Sequence, residues 1–122
     1  MVVDDSETTR TSVAAMLEAE SYRVVSAKDG FSALALAREH LPDIVLLDIM
    51  LPRLDGYQVC AILKSKPETA SIPVVLMSSR DGVFDRARGD FAGCQMYVTK
   101  PFTRDSLLQT IKALVHESDP RH

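Results

Sequence analysis

The stretch DIVLLDIMLPRLDG, residues 43–56, has the pattern of a buried strand followed by a turn, and it contains one charged residue among apolar ones. Its four consecutive apolar residues at 44–47 predict a buried strand, because such a run is typical of a strand covered on both faces. Asp48 ends the run, and apolar residues resume directly after it. Since an ionised carboxylate in apolar surroundings is costly, we expect Asp48 to be paired or to lie where solvent and ions reach it. The turn-forming sequence PRLDG closes the stretch.

The composition is that of one globular domain. The chain has 122 residues, 46% of them apolar, which suffices for one hydrophobic core. A net charge of −3 argues against nucleic acid as the main partner. We find no apolar run long enough for a membrane span and no secretory signal, so we expect a cytoplasmic protein without membrane insertion. Cys60 and Cys94 are expected to be reduced and packed, and His40, His116 and His122 to lie at the surface.

Strand and helix patterns alternate along the chain in five pairs. Two of the strands are continuous apolar runs, as expected of a parallel sheet covered on both faces. Right-handed crossovers then predict a three-layer α/β sandwich in a single domain over residues 1–122, with a polar tail at 117–122. The expected strands lie at residues 2–3, 22–27, 44–47, 73–77 and 96–99, and the expected helices begin at residue 6 and cover residues 31–40, 59–63, 82–93 and 105–115.

The fourth helical segment, residues 82–93, has the weakest pattern. It contains three glycines, and the interior Gly89 costs about 1 kcal/mol relative to alanine. The fifth helix has five apolar residues at helical spacing, and Thr103 is placed to cap its start. We therefore expect a short, marginally held fourth helix and a firm fifth helix. The apolar anchors of the fourth helix would be Val83, Phe84 and Phe91.

Polar residues follow four of the expected strands, at their carboxyl ends. Because these ends meet at one edge of a parallel sheet, we expect the five side chains to converge. Three carboxylates together repel one another unless a cation intervenes, and Mg²⁺ is a cation that takes such oxygen ligands. The ammonium and the hydroxyl suit the oxygens of a phosphoryl group. The converging residues are Asp4, Asp5, Asp48, Ser78 and Lys100.

Asp48 is the best candidate for a phosphoryl acceptor in this group. A carboxylate can accept a phosphoryl group to form an aspartyl-phosphate. Asp48 lies centrally, between the acidic pair on one side and Ser78 and Lys100 on the other. Its charge would then be offset by a metal ion at the exposed end of a buried strand, which explains why a carboxylate follows the apolar run. Each of these residues alone could be a turn, cap or surface residue, but their joint placement at strand ends is much less expected by chance.

Four motifs give the chain a family resemblance: VVDDS, LLDIMLPRLDG, PVVLMSS and YVTKPF, in that order. Together they resemble the receiver domain of two-component response regulators over essentially all 122 residues. The resemblance implies a flavodoxin-like five-stranded parallel sheet with strand order 2-1-3-4-5. The segments DIMLPRLDGYQ and SSRDGVFDRARGDFAG resemble, more narrowly, the small receivers of chemosensory systems that control type IV pili and twitching motility.

The resemblance also implies a role for individual residues. Asp48 is the phosphoacceptor, and Lys100, before a Pro101 that is typically cis in the family, binds the phosphoryl group. Asp5 binds Mg²⁺ directly with Asp48, whereas Asp4 acts mainly through a bound water. The remaining roles are those of the Met50 backbone carbonyl as a Mg²⁺ ligand, Ser78 as the switch hydroxyl and Tyr97 as the switch aromatic.

The resemblance implies partners as well. A histidine kinase donates the phosphoryl group, and an effector protein binds the face made by the fourth helix, fifth strand and fifth helix. The chain would be a monomer or weak dimer that catalyses only its own phosphorylation and dephosphorylation, and therefore no enzyme acting on an external metabolite. It departs from the usual family pattern in its short first strand, in Ser78 where threonine is commoner, and in Ser79 where alanine is common.

Alternative functions stay open at this point. A phosphatase of the haloacid dehalogenase class also forms an aspartyl-phosphate, but it needs a second Asp where this chain has Met50. A flavodoxin-like FMN binder would need a hydroxyl- and glycine-rich loop where Asp4 and Asp5 would repel phosphate. The chain could also be the receiver part of a longer transcriptional regulator, with residues before Met1 or after His122.

Overall fold

A five-stranded parallel sheet lies at the centre of the chain, with strand order β2-β1-β3-β4-β5. The computed structural model describes residues 1–79 and 85–118, with side chains to residue 115. The predicted fold and strand order are confirmed. The elements are β1 (Val2–Val3), α1 (Glu7–Glu18), β2 (Ser26–Ala27), α2 (Gly30–His40), β3 (Val45–Asp48), α3 (Gly56–Ser65), β4 (Val74–Ser78), α4 (Arg86–Ala92), β5 (Met96–Thr99) and α5 (Arg104–Ser118).

The helices cover the sheet on both faces, so the buried strands carry apolar residues in both directions. In β3, Val45 and Leu47 pack in one cluster with α2, α3 and α4. Leu46, between them, packs in the other cluster with α1 and α5. Because burying an aliphatic side chain contributes about 1.5–3 kcal/mol, this burial on both faces accounts for the uninterrupted apolar run at residues 44–47.

Side chains at the helix starts accept hydrogen bonds from backbone N–H groups of the first turn. Ser6 caps α1, and Asp55 forms a capping box with Gln58 at the start of α3. The predicted cap of the last helix is confirmed, because the Thr103 Oγ1 accepts from the Ser106 N–H at 3.0 Å. Each cap contributes about 1 kcal/mol to stability and fixes the residue at which its helix begins.

The second strand is shorter than predicted. Residues 22–27 are rich in strand formers, but only Ser26 and Ala27 pair as a strand. The reason is that β2 pairs with β1 alone, and β1 has two residues, Val2 and Val3. The backbone N–H of Tyr22 is turned back to the Leu17 carbonyl at the end of α1, at 3.1 Å.

The fourth helix is short, as predicted, but one of its expected anchors is wrong. Its described part, α4, has 7 residues, and Gly89 lies within it. Phe91 is 93% exposed and therefore does not anchor the helix. Gly89 and Ala92 are the buried residues of α4. The predictions for residues 82–84, which include Val83 and Phe84, and for residues 119–122 of the polar tail lie outside the described residues.

Candidate functional site

The five polar residues expected at the strand ends lie on the same edge of the sheet. Each of Asp4, Asp5 and Asp48 offers a carboxylate oxygen, and these oxygens lie within 4.8 Å of one another. The Lys100 Nζ lies 2.8 Å from the Asp4 Oδ2 and 3.5 Å from the Asp48 Oδ2. Ser78 is the last residue of β4, the neighbour of β3 in the sheet. The parallel register thus brings together residues up to 96 positions apart in sequence.

Asp4 is buried, with 1% of its surface exposed, and both of its carboxylate oxygens accept hydrogen bonds. Its Oδ1 accepts from the Ser6 N–H at 2.9 Å, and its Oδ2 accepts from Lys100. The Arg10 guanidinium donates to the Asp4 backbone carbonyl at 2.7 Å, a contact that no local sequence signal predicts. Asp5, by contrast, is exposed. Asp5 is therefore the more accessible carboxylate, and both oxygens of Asp4 already accept hydrogen bonds.

Asp48 ends β3 with 4% of its surface exposed. The next residue, Ile49, donates its N–H to the Met77 carbonyl of β4 at 3.0 Å, and the Met50 N–H donates to the Asp48 Oδ1 at 3.1 Å. Burial, reinforced by the nearby Asp4 carboxylate, raises the pKa of Asp48, although Lys100 and the Met50 N–H act in the opposite direction. An Asp48 carboxylate that is costly to ionise favours a nearby cation.

Lys100 supplies one cation at this edge. Its backbone N–H donates to the Ser78 carbonyl at 2.7 Å, which places it beside β4, and the Lys100–Pro101 peptide bond is cis, as the resemblance implies. Burial lowers the pKa of Lys100, but its hydrogen bond to Asp4 and its attraction to Asp48 outweigh burial, so the pKa is raised. Lys100 is therefore an ammonium at neutral pH, with a partly exposed side chain.

The two predicted switch residues lie on neighbouring strands. Ser78 is 4% exposed, and its hydroxyl donates to the Ser79 carbonyl at 3.3 Å. Tyr97 is 47% exposed on β5, next to the half-exposed Met96. Ser78 pairs in register with Thr99, two residues beyond Tyr97. The hydroxyl and the aromatic ring therefore lie on adjacent strands, with the ring partly open to solvent.

The donor set fits a hard divalent cation. Carboxylate oxygens from Asp4, Asp5 and Asp48 approach within 4.8 Å of one another, and Lys100 neutralises only part of their charge. Mg²⁺ is commonly held by one or two carboxylates, keeps several waters and binds phosphate oxygens. A cleft of about 740 Å³ adjoins the cluster and is lined by Asp5 and Met50 on one side. The site can therefore admit an ion, its waters and an anionic group.

A group of residues beside this cleft was not identified from the sequence. Tyr57, Asp85 and Arg88 line the cleft together with Asp55. Gly56, between Asp55 and Tyr57, lies against the Asp48 carbonyl, and a Cβ there would be 2.5 Å from that oxygen. The sequence LDG indicates a turn that leads into a helix, and Gly56 is the first residue of α3. The contacts of Tyr57 and Asp55 with α4 span 28 and 33 positions, so no local sequence pattern predicts them.

The comparisons with known proteins agree with the motifs. The family model of the response regulator receiver domain matches residues 1–112. The protein PilG of Pseudomonas aeruginosa is 46% identical over 120 residues, covering 98% of this chain and 89% of PilG. The protein PilH of the same organism is 39% identical over 115 residues, covering 94% of this chain and 95% of PilH. The predicted family resemblance, including the narrower one to pilus receivers, is confirmed.

A solved structure extends the comparison to the site. The receiver domain of the sensor histidine kinase PA1611 from Pseudomonas aeruginosa superposes with a TM-score of 0.86 at 29% identity, covering 94% of each chain. That structure holds a magnesium ion coordinated in its active-site cleft. Within residues 1–79 and 85–118 of the present chain, none of the helices has the length and apolar character that crossing a membrane requires.

Proposed function

Because this chain belongs to the family of response regulator receiver domains, we propose that Asp48 accepts a phosphoryl group from a histidine kinase in a Mg²⁺-dependent transfer. The observation that carries the proposal is the arrangement around Asp48. Its buried carboxylate lies within 4.8 Å of two other carboxylates and 3.5 Å from the Lys100 ammonium. A carboxylate in this setting has a cation site on one side and an anion-binding group on the other.

The metal would be held by Asp5, Asp48 and the backbone carbonyl of Met50. Asp5 is exposed, and Asp48 has one oxygen that faces Lys100 and one that accepts from Met50. Asp4 would act mainly through a bound water, since its two oxygens already accept from Ser6 and Lys100. The ion, when bound, would neutralise and align the oxygens of the phosphoryl group.

Transfer places three residues around the reacting phosphorus. An oxygen of Asp48 attacks the phosphorus, the bond from phosphorus to the donor's imidazole nitrogen breaks, and its electron pair stays on that nitrogen, which takes up a proton. Lys100 pairs with the transferred oxygens, which requires its ammonium to exchange part of its contact with Asp4 for the new anion. Ser78 donates its hydroxyl to another oxygen of the same group in place of the Ser79 carbonyl.

Ser78 and Tyr97 would carry the signal to the surface. Movement of the Ser78 side chain toward the phosphoryl group vacates space beside β5 that the Tyr97 ring can enter, so the two packings exchange population. The output face would be formed by α4, β5 and α5. On β5 it exposes two large apolar side chains, Met96 and Tyr97, and exposed apolar side chains often mark a protein-binding surface.

The biological role we propose follows the relatives. Identity of 46% with PilG and 39% with PilH supports a regulator of type IV pilus motility, acting on an effector protein in the cytoplasm. The chain would turn over no external substrate and would catalyse only its own phosphorylation and dephosphorylation. A weak dimer or a monomer would suffice, because the proposed site is built within one chain.

Intact-mass spectrometry after incubation with acetyl phosphate tests the proposal. Wild type should gain one phosphoryl group with Mg²⁺ and none with EDTA. Asp48→Asn should gain none in either condition. Asp43→Asn, at the exposed start of the same strand segment, is the matched control and should behave as wild type. Equal modification of wild type and Asp48→Asn would contradict the proposal.

A further inference from the structure

Four residues connect the start of α3 to the start of α4. The Tyr57 hydroxyl accepts a hydrogen bond from the backbone N–H of Asp85, the N-cap of α4, at 2.8 Å. The Arg88 guanidinium lies 4.3 Å from the centre of the Tyr57 ring and donates to the Asp55 Oδ2 at 3.3 Å. Asp55 is the N-cap of α3. We call these four residues, Asp55, Tyr57, Asp85 and Arg88, the α3–α4 clamp.

The α3 side of the clamp is pressed against the backbone of the phosphoacceptor. An added Cβ at Gly56 would be 2.5 Å from the Asp48 carbonyl oxygen and 2.7 Å from the Ile49 Cα. The Gly56 N–H also donates to the Ile49 carbonyl at 3.0 Å. The Asp48 Oδ1 accepts a hydrogen bond from the Met50 N–H at 3.1 Å. The first turn of α3 and the loop at residues 49–55 are therefore packed as one piece.

We propose that the α3–α4 clamp positions the loop at residues 49–55 for metal binding, and that Arg88 and Tyr57 are positioning residues for the phosphoryl site. The inference rests on the proposed function, since it concerns the same Mg²⁺ site. The proposal adds a second structural connection between that site and α4. This connection runs through the start of α3 and is separate from the one through Ser78 and Tyr97.

The physical argument is one of preorganisation and linkage. Residue 50 would present its carbonyl to the metal, and a loop already held in place loses less conformational entropy when the ion binds. Releasing Arg88 from Tyr57 and Asp55 frees the start of α3 to move relative to α4. Coupling free energies are reciprocal, so a protein that binds α4 and displaces Arg88 must change the affinity for Mg²⁺ by the same factor.

Calorimetric titration of the unphosphorylated protein with Mg²⁺ tests the coupling. Arg88→Ala should weaken Mg²⁺ binding by about two- to fivefold, the effect of losing one exposed cation–π contact and its ion pair. Arg86→Ala is the matched control, because Arg86 is exposed on the same helix and lies outside the clamp. It should leave the affinity within the error of wild type. Arg88→Lys should fall between the two, since lysine keeps the charge but not the planar stacking.

Hydrogen exchange of the metal-free protein supplies a readout that does not depend on the ion. Tyr57→Phe keeps the ring and removes the hydroxyl that accepts from Asp85. It should accelerate exchange at the start of α4 and in residues 49–56, as should Arg88→Ala. If exchange is faster only in residues 85–92 and the Mg²⁺ affinity is unchanged, the clamp stabilises α4 alone. That result would overturn the proposed coupling between the clamp and Mg²⁺ binding.

The two proposals fail in different ways. If wild type binds Mg²⁺ and Arg88→Ala binds it as tightly as Arg86→Ala, the coupling is wrong and the proposed function stands. If wild type binds no Mg²⁺, the proposed metal site fails, and the inference that depends on it fails as well.

Discussion

Replacing Asp48 by asparagine should make the metal-free protein more stable. The substitution keeps the shape and the Oδ1 that accepts from the Met50 N–H, and it removes the charge. The Asp48 carboxylate is 4% exposed, so its ionisation is opposed by a desolvation cost of several kcal/mol. The structure therefore predicts that the carboxylate of Asp48, the proposed phosphoacceptor, lowers the stability of the metal-free protein.

The neighbouring charges do not cancel that cost. At an effective dielectric constant of about 20, each of the two carboxylate oxygens within 4.8 Å, from Asp4 and Asp5, repels Asp48 by at least about 3.5 kcal/mol. Lys100 at 3.5 Å attracts it by about 4.7 kcal/mol. The two repulsions together, at least about 7 kcal/mol, exceed this attraction, so the neighbouring charges do not offset the desolvation cost. We expect Asp48→Asn to raise the free energy of unfolding by about 1–2 kcal/mol, the scale found when an unfavourable buried charge is removed.

Urea unfolding followed by circular dichroism in EDTA at neutral pH measures this difference. Because the pKa of Asp48 is raised in the folded state, the advantage of Asp48→Asn is fully present above that raised pKa. It should disappear as the pH falls toward about 4, the ordinary range of a carboxyl group. Glu68→Gln, at an exposed carboxylate, should change stability by less than about 0.5 kcal/mol.

Magnesium should reverse the comparison. By our proposal the ion binds the folded wild type, and a ligand at 100 times its dissociation constant stabilises by about 2.7 kcal/mol. Asp48→Asn should gain much less, since it has lost one of the proposed ligands. If metal-free Asp48→Asn is no more stable than wild type, with the same slope of unfolding free energy against urea concentration, the buried Asp48 charge is not destabilising.

Three further outcomes are expected. Asp5→Ala should weaken Mg²⁺ binding measured by calorimetry, because Asp5 is the exposed carboxylate of the cluster, and an unchanged affinity would exclude Asp5 as a ligand. Gly56→Ala should lower the free energy of unfolding by about 1–3 kcal/mol, since its Cβ would meet backbone atoms at 2.5 and 2.7 Å that cannot turn aside, and a gain in stability would contradict that packing. Hydrogen exchange should be faster in residues 86–92 than in residues 105–115, because α4 has 7 residues and exposes Phe91. The exchange rate of α4 should also change when beryllofluoride and Mg²⁺ are added. Equal protection of the two helices without such a change would rule out α4 as the signalling element.

Patterns of burial made most of the fold predictable. The continuous apolar runs of β3 and β4 reflect helices on both faces, and the register of parallel strands then carries Asp48 and Lys100 to one edge. Thr103 could be assigned as a cap because its partner, Ser106, is only three positions away. Such features depend on periodicity or on neighbours in sequence.

Features that depend on distant partners were missed or predicted wrongly. Residues 22–25 have the composition of a strand, yet pairing is limited by the two residues of β1. Phe91 has the character of an anchor, yet its position on α4 points it away from the core. The contacts of Arg88 with Tyr57 and Asp55 join two helices through surface side chains, and neither helix shows them in its own pattern.

The most direct test of the central claim locates the phosphoryl group within the chain. Wild-type protein is treated with acetyl phosphate and Mg²⁺, reduced with borohydride to convert an acyl phosphate to homoserine, digested and sequenced by tandem mass spectrometry. We predict homoserine at position 48 and unmodified aspartate at positions 4 and 5. Homoserine at position 4 or 5, or phosphate on a hydroxyl side chain with Asp48 intact, would contradict the assignment of Asp48 as the phosphoacceptor.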